Sequence, residues 1–312
     1  MKCAICGAEM GLLSKTFHYD TKTNGGWEHN STMEILGLQS VDVELMFCKK
    51  CFHSTISPAF DSAALYSPNA VEVRRRLAPP PASAGDAGCA ETLRKCAAHL
   101  TRLANNLALL GGDIPAGDVT VVDIGGGDGA NGAIYAQVLG HITKRPSSVK
   151  VVDPVDRQYS AVERADNRHE GEGYSVTVLS HVAEHVFAPV DLIRGGYESL
   201  KPNGIIIVEV PDDRIAWLKA VLGRPVGLHY HVQHFSPLSL AKSLRAAGFS
   251  DIQVKVFPRS TYHGQLQPTI VAVGRKGSGI LETGAGGAFA QYLSLGLHVA
   301  LRLGSAIGRK FL

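Results

Sequence analysis

Long hydrophobic runs are missing from this sequence. None of its 312 residues fall in an uncharged apolar stretch of the ~18 residues that a membrane-spanning helix needs. The opening MKCAICGAEM lacks the apolar core and small-residue cleavage site of a secretory leader. A cytoplasmic location is therefore expected. An excess of one charge is missing too: 31 Lys and Arg stand against 28 Asp and Glu, for a net +3. The basic triplet Arg74-Arg75-Arg76 reads as a solvated helix end rather than a nucleic-acid face, so no nucleic-acid partner is expected. Cysteine is sparse, with six in all. Without an export signal these belong to a reducing compartment, where paired cysteines more often hold metal than form disulfides.

What is present is placed in order. Cys3-x-x-Cys6 and Cys48-x-x-Cys51 are two pairs of the same spacing. Four thiolates make the closed tetrahedral site of structural zinc, and Gly7 and Lys49-Lys50 suit the tight turns that such pairs need. A redox role would want a βαβ context that neither pair has. Cys89 and Cys96 read as buried or incidental residues of a helix.

A Pro-, Ala- and Gly-rich stretch, LAPPPASAGDAG, resists regular structure and marks a linker. The expected organisation is an N-terminal zinc-binding module (1–77), a linker (78–88), a larger domain (89–276) and a helical tail (277–312). In the larger domain strands alternate with helices. VTVVDI, SVKVVD, YSVTVLS and GIIIVEV read as buried strands, and GANGAIYAQVLGHI, APVDLIRGGYESL and SPLSLAKSLRAAG as helices. That alternation predicts an α/β, doubly wound Rossmann-like sheet. FSDIQVKVF and TIVAVGR have no helix between them and are expected to pair antiparallel at one edge. Only twenty residues separate the second and third strands, so one element there is short or missing.

The turn after the first strand is Asp123-Ile-Gly125-Gly126-Gly127-Asp128-Gly129. Glycines permit positive φ and close approach of a ligand, and the helix that follows offers free N–H groups. The spacing is G-x-G-x-G, not the dinucleotide G-x-G-x-x-G. A turn of no function is the plain alternative. Asp153 ends the second strand, where an acid can accept both ribose hydroxyls of an adenosine; an ordinary strand-end Asp is its plain alternative.

Taken in order, VVDIGGGDG, VVDP, VLSHVAEHVFAPVDLIRGGYESLKPNGIIIVEVPD and HFSPLSLAKSLRAAGF resemble the class I S-adenosylmethionine-dependent methyltransferases. The resemblance covers about 118–275. It implies that Asp123, Gly125, Gly127 and Gly129 face the methionine part of the cofactor, that Asp153 binds its ribose, and that an adenine-side acid falls near Asp166. With the cysteine pairs and FDSAALYSP, the whole resembles deoxysugar C-methyltransferases and their relatives, which join a zinc module to such a domain. Those relatives carry a His-Glu-His stretch before a Phe-Ser pair. The match places His229 and His231 on its histidines, while Tyr230 replaces the acid.

The sulfonium methyl is already activated, so the protein must align the attack and remove a proton. His231 is the first candidate base, His229 the second, and Tyr230 an orienting group; histidines bonded to backbone carbonyls are the plain alternative. His234 is expected to cap the next helix. His181, Glu184 and His185 have a spacing that puts them on one helical face and could bind a divalent metal. A packing or substrate-side role is the stronger expectation, with His181 touching the cofactor.

The expected activity is methyl transfer to an oxygen or carbon of a small molecule or sugar/glycan precursor, with S-adenosylmethionine as cofactor and structural zinc. Two alternatives are a non-catalytic binding protein with a degenerate methyltransferase fold and a metal-dependent RNA methyltransferase. The apolar tail, GGAFAQYLSLGLHVALRLGSAIGRKFL, reads as a packing or oligomer contact, with peripheral membrane contact as its alternative.

Overall fold

The computed structural model describes residues 1–13, 16–20, 27–58, 64, 67–77, 106, 109, 114–127, 129–153, 163–164, 173–222, 231–262 and 265–277. The expected linker, most of the segment around Asp166, His229, Tyr230 and nearly all of the tail lie outside the described residues. No described helix is long and apolar enough to cross a membrane.

The N-terminal module comprises β1 (Gly11–Leu12), β2 (Phe17–Asp20), α1 (Trp27–Ile35), β3 (Ser40–Cys48), β4 (His53–Ser57) and α2 (Pro68–Leu77). β3 and β4 form an antiparallel hairpin, with Cys48 opposite His53, and β1 and β2 pair with β3. Alternation along β3 turns Val43 and Leu45 inward, onto Phe17, Tyr19, Met33 and Ile56. Arg76, from the basic triplet, bonds Glu34 across the two helices, so at that residue the triplet serves the module's own surface.

The larger layer holds β5 (Val119–Ile124), α3 (Ala130–Thr143), β6 (Ser147–Val152), β7 (Glu163–Arg164), β8 (Tyr174–Ser180), α4 (Pro189–Ser199), β9 (Leu200–Pro211), α5 (Arg214–Val221), β10 (Gln233–His234), α6 (Pro237–Ala246), β11 (Ser250–Tyr262) and β12 (Gln265–Arg275). Seven strands run in the order β11-β12-β9-β8-β5-β6-β7. β5 through β9 pair in parallel, whereas β12 runs antiparallel between β9 and β11. The doubly wound sheet and the antiparallel closing pair thus stand as the pattern predicts. The short element expected before YSVTVLS is β7, of two residues.

Period-two alternation gives each strand two buried faces. Val121, Val176, Ile205 and Ile207 meet Tyr135, Ala136 and Leu139 of α3 on one side. Val122, Leu179, Ile206 and Val208 meet Ile193, Leu240 and Leu244 of α4 and α6 on the other. Each such buried Val, Ile or Leu side chain contributes about 1.5–3 kcal/mol. The chain leaves β5 toward β6 and β7, then returns to β8 on the opposite side of β5. Ligands bind at that switch point, beyond the carboxyl ends of the strands.

The N-terminal module is built into this layer. β10 adds to the module's own sheet by pairing with β4, Gln233 opposite Thr55 and His234 opposite Ser54. Cys3, Cys48 and Cys51 share a buried cluster with Phe235 and Leu240.

Candidate active site and cysteine cluster

The glycine turn is fixed from both sides. Gly125, Gly127 and Gly129 have φ of 72°, 60° and 81°, a region that side chains disfavour. Asp123 is buried, and its Oδ2 accepts from the Gly132 N–H at 2.8 Å, bracing the start of α3. A Cβ on Gly132 would stand 2.7 Å from the Asp123 Cβ, and one on Gly126 would run into the Asp123 carboxyl. These two glycines, which the motif reading did not single out, make room for the brace. Asp153 Oδ2 accepts from the Gly127 N–H at 2.8 Å, tying the tip of β6 to the turn. A Cβ on Gly127 would meet nothing within 4 Å, whereas one on Gly125 would lie 2.6 Å from Val182 Cγ2. The turn therefore opens at Gly127 and closes against the loop after β8 at Gly125.

That loop carries the polar group of the site. His181 has φ of 56°, and Ala183–His185 form a single 3-10 turn rather than the helical face expected. His181 and Glu184 still meet, Nδ1 to Oε1 at 3.2 Å. His185 Nε2 lies 3.7 Å from Glu184 Oε1, and His231 Nε2 lies 4.0 Å from the same oxygen. The His185 and His231 rings meet edge to face at 4.9 Å. Burial alone would raise the Glu184 carboxyl, but His185, His181 and His231 outweigh it and hold the group below its ordinary range.

Behind His231 stands Asp213, with Oδ2 3.7 Å from His231 Nδ1 and 3.2 Å from His234 Nδ1. Its carboxyl is also held low: burial pushes it up, and the two histidines more than reverse that. His234 belongs to β10, and the cap of α6 is Ser236, which accepts from the Ser239 N–H at 3.1 Å. The expected helix cap thus falls two residues later, because a serine hydroxyl can reach the N3 amide while His234 is engaged in the strand. His181 Nε2 approaches Glu209 Oε1 at 3.8 Å, and Glu209 Oε2 accepts from Ser180 and Asn106.

The four cysteines come together as the spacing predicts. Cys3 Sγ and Cys51 Sγ are 3.5 Å apart, as are Cys6 Sγ and Cys48 Sγ, and the four ligand atoms lie within 4.8 Å of one another. Sulfur bonds of ~2.3 Å to a tetrahedral ion put thiolates ~3.8 Å apart, so the set fits zinc with little adjustment. Each pair closes the same turn: Cys3 O accepts from Gly7 N at 2.9 Å and Cys48 O from Phe52 N at 2.8 Å. Gly7 and Phe52 both take positive φ.

A family described as methyltransferase domain matches residues 89–254, just over half of the chain. The chain belongs to this methyltransferase family. Its fold is that of the class I S-adenosylmethionine-dependent methyltransferases. Among curated relatives, the ubiquinone biosynthesis O-methyltransferase of Burkholderia thailandensis is 29% identical over 163 residues, 46% of this chain and 68% of that protein. Similar solved structures include a SAM-dependent methyltransferase from Archaeoglobus fulgidus, at 15% identity, 57% and 94% coverage and TM-score 0.40. Another is an O-methyltransferase family protein from Burkholderia thailandensis, at 19% identity, 61% and 60% coverage and TM-score 0.40.

Within the methyltransferase layer, the structure gathers Asp123, Gly125, Gly127, Gly129 and Asp153 at one turn and His181 and His231 around Glu184. His229 and Tyr230 lie outside the described residues. Glu209 and Asp213 were missed by sequence reasoning, although each had a signal. Glu209 is a lone carboxylate in the apolar strand GIIIVEV, and Asp213 ends the acid pair that follows it.

Proposed function

We propose that this methyltransferase moves the methyl of S-adenosylmethionine onto an oxygen or carbon of a small molecule or sugar/glycan precursor, with histidine removing the acceptor's proton. One juxtaposition carries the reading. Val182 fills the place where a Cβ on Gly125 would stand, so the glycine turn and the Glu184 group share one corner of the molecule. The cofactor would lie along Gly125, Gly127 and Gly129, with its ribose toward Asp153 and His181 beside it; the open space at Gly127 suits a backbone approached by a ligand. When bound, S-adenosylmethionine supplies an electrophilic methyl that needs only an aligned nucleophile.

His231 is the group we assign to the acceptor's proton. Its ring is partly exposed, and Asp213 behind Nδ1 favours the tautomer that leaves Nε2 to accept. Proton removal by a positioned base contributes about 10²–10⁴-fold to rate. The Burkholderia relative is named an O-methyltransferase, which favours oxygen over carbon as the acceptor. We assign structural zinc to Cys3, Cys6, Cys48 and Cys51, supported by the sulfur spacing and by burial of all but Cys6.

Calorimetric titration with S-adenosylhomocysteine, with NAD as the control, tests the pocket. Saturable binding that Asp153→Ala weakens and NAD does not reproduce is expected. No binding to a folded, zinc-loaded protein would leave the non-catalytic alternative standing.

A further inference from the structure

We propose that Asp212 and Arg214 are positioning residues for proton transfer. Their buried ion pair locks the turn between β9 and α5, so that Asp213 faces His231 rather than capping its own helix. This role rests on the assignment of His231 as the acceptor's base. Asp213 is the N-cap residue of α5, and an aspartate there ordinarily accepts from the N–H of the second or third helical residue. Here its side chain accepts no cap hydrogen bond. Its Oδ2 stands instead 3.2 Å from His234 Nδ1 and 3.7 Å from His231 Nδ1.

The residues on either side explain how that carboxyl is held away from the helix. Arg214 Nε donates to Asp212 Oδ1 at 2.7 Å and Nη2 to Asp212 Oδ2 at 2.6 Å, and the two side chains are 5% and 2% exposed. Such a fork fixes orientation as well as distance. Asp212 is anchored in turn, its N–H donating to the Pro268 carbonyl of β12 at 2.8 Å. Asp212 Oδ1 also accepts from the Arg214 N–H at 3.4 Å, at the first residue of α5. The neighbouring acid thus supplies part of the missing cap. A buried ion pair is weak evidence of stability, since well-packed apolar side chains often serve as well. Its place astride Asp213 gives it a reason within the site.

What the brace controls is a tautomer. His231 stands between two carboxylates, with Asp213 Oδ2 3.7 Å from Nδ1 and Glu184 Oε1 4.0 Å from Nε2. The His185 ring lies edge to face with it at 4.9 Å. A neutral imidazole with its proton on Nδ1 leaves Nε2 able to accept, whereas one with its proton on Nε2 cannot take the acceptor's proton there. Asp213 draws the proton to Nδ1, and Glu184 draws it to Nε2. The carboxylate held more firmly in place therefore decides which ring nitrogen is the base. With the ion pair broken, the Asp213 carboxyl could turn to the first amides of α5, and Glu184 would set the tautomer. Asp212 and Arg214 act on His231 through Asp213.

Magnetic resonance spectra of the full-length, zinc-loaded protein, labelled with heavy nitrogen at histidine, report the tautomer directly. The His231 signal is the one lost in His231→Ala. At about pH 8.5, where an ordinary imidazole is uncharged, the unsubstituted protein is expected to carry the His231 proton on Nδ1. Arg214→Gln and Asp213→Ala should each shift the tautomer ratio toward Nε2 by at least about tenfold, the worth of one charge-assisted hydrogen bond. Arg194→Gln, which removes an exposed pair with Asp191, should leave the ratio unchanged. Retained zinc and a cooperative thermal melt are the folding check. Arg214→Lys, which keeps the charge without the fork, takes the place of Arg214→Gln where that variant does not fold. A purely structural ion pair would lower the melting temperature and leave the tautomer alone. A proton on Nε2 in the unsubstituted protein, or a tautomer unmoved in the folded Arg214 variant, overturns the proposal. Failure of the unsubstituted protein to bind S-adenosylhomocysteine would instead strike the methyl-transfer reading.

Discussion

Among the described residues, two clusters of ligand-type side chains differ in closure. Cys3, Cys6, Cys48 and Cys51 are four soft donors, three of them at most 4% exposed, and no coordination position is left over. Glu184, His185 and His231 are three harder donors, and the His185 and His231 side chains are 16% and 22% exposed. A closed tetrad suits a structural role, and an open triad suits chemistry on a bound molecule. The two are joined by one strand. β4 leaves the Cys48–Cys51 turn and pairs with β10, and Val232, just before β10, donates to Glu184 O at 2.9 Å. His231 is positioned through the cysteine module.

Cys51→Ser should have the largest effect, because it attacks both clusters. Cys51 is fully buried, and its carbonyl accepts from Ser236 Oγ at 3.4 Å. Structural zinc contributes about 10–16 kcal/mol to folding in small zinc peptides. Losing even part of that should lower the melting temperature by roughly ten degrees or more, with bound zinc lost and methyl transfer abolished. Metal analysis and a thermal melt check the first two. Retained activity in a zinc-free variant would show the clusters to be independent.

His231→Ala tests the open cluster alone. The expected loss is about 10²–10⁴-fold in kcat, with the KM for S-adenosylmethionine unchanged and zinc content intact. The ring is partly exposed, so a small change in melting temperature should accompany it. Steady-state kinetics beside a thermal melt would show this split. A fall in zinc content or in cofactor affinity would mean that His231 is a structural residue of the seam.

This contrast also explains what could be read from sequence. The cysteine pairs are local: two turns of the same spacing, each closed by one backbone hydrogen bond, carry their own geometry. The glycine turn is equally local, since positive φ at Gly125, Gly127 and Gly129 is a demand that sequence displays. The sheet followed from buried strands such as GIIIVEV alternating with helices. The place of His231 beside Glu184 was not legible, because it reaches that group through a strand pairing between distant parts of the chain. The spacing of His181, Glu184 and His185 suggested a helix, whereas the loop turns through a left-handed His181. The role of Asp123 as a brace was hidden because it depends on Gly126 and Gly132, which the G-x-G-x-G pattern does not specify.

Gly127→Ala comes next in size and bears on the cofactor side of the open cluster. Its φ of 60° makes any side chain strained, at about 1–2 kcal/mol. The added Cβ meets nothing within 4 Å, so the fold should tolerate it. The space it fills is the one assigned to the cofactor. S-adenosylhomocysteine affinity should fall by at least about tenfold, an energy of ~1.4 kcal/mol, while zinc content is retained. Calorimetry and metal analysis on one preparation measure both. Unchanged cofactor affinity would move the cofactor away from this turn.

Trp217→Phe should have the smallest effect, and it isolates the seam between the clusters. Trp217 of α5 donates from Nε1 to Ser54 Oγ at 2.5 Å, and its ring meets Phe47 edge to face at 5.3 Å. Phenylalanine keeps most of the ring contact and deletes the donor. The Ser54 hydroxyl then lacks that partner next to the β4–β10 pairing. A loss of about 0.5–1.5 kcal/mol is expected in chemical denaturation, the usual net worth of one hydrogen bond, with zinc retained. Because Ser54 sits opposite His234, and His234 shares Asp213 with His231, the same variant should reduce kcat by a few-fold while leaving cofactor affinity alone. A stability change with no change in kcat would confine the seam to structure, and the two clusters would then share a strand without sharing a task.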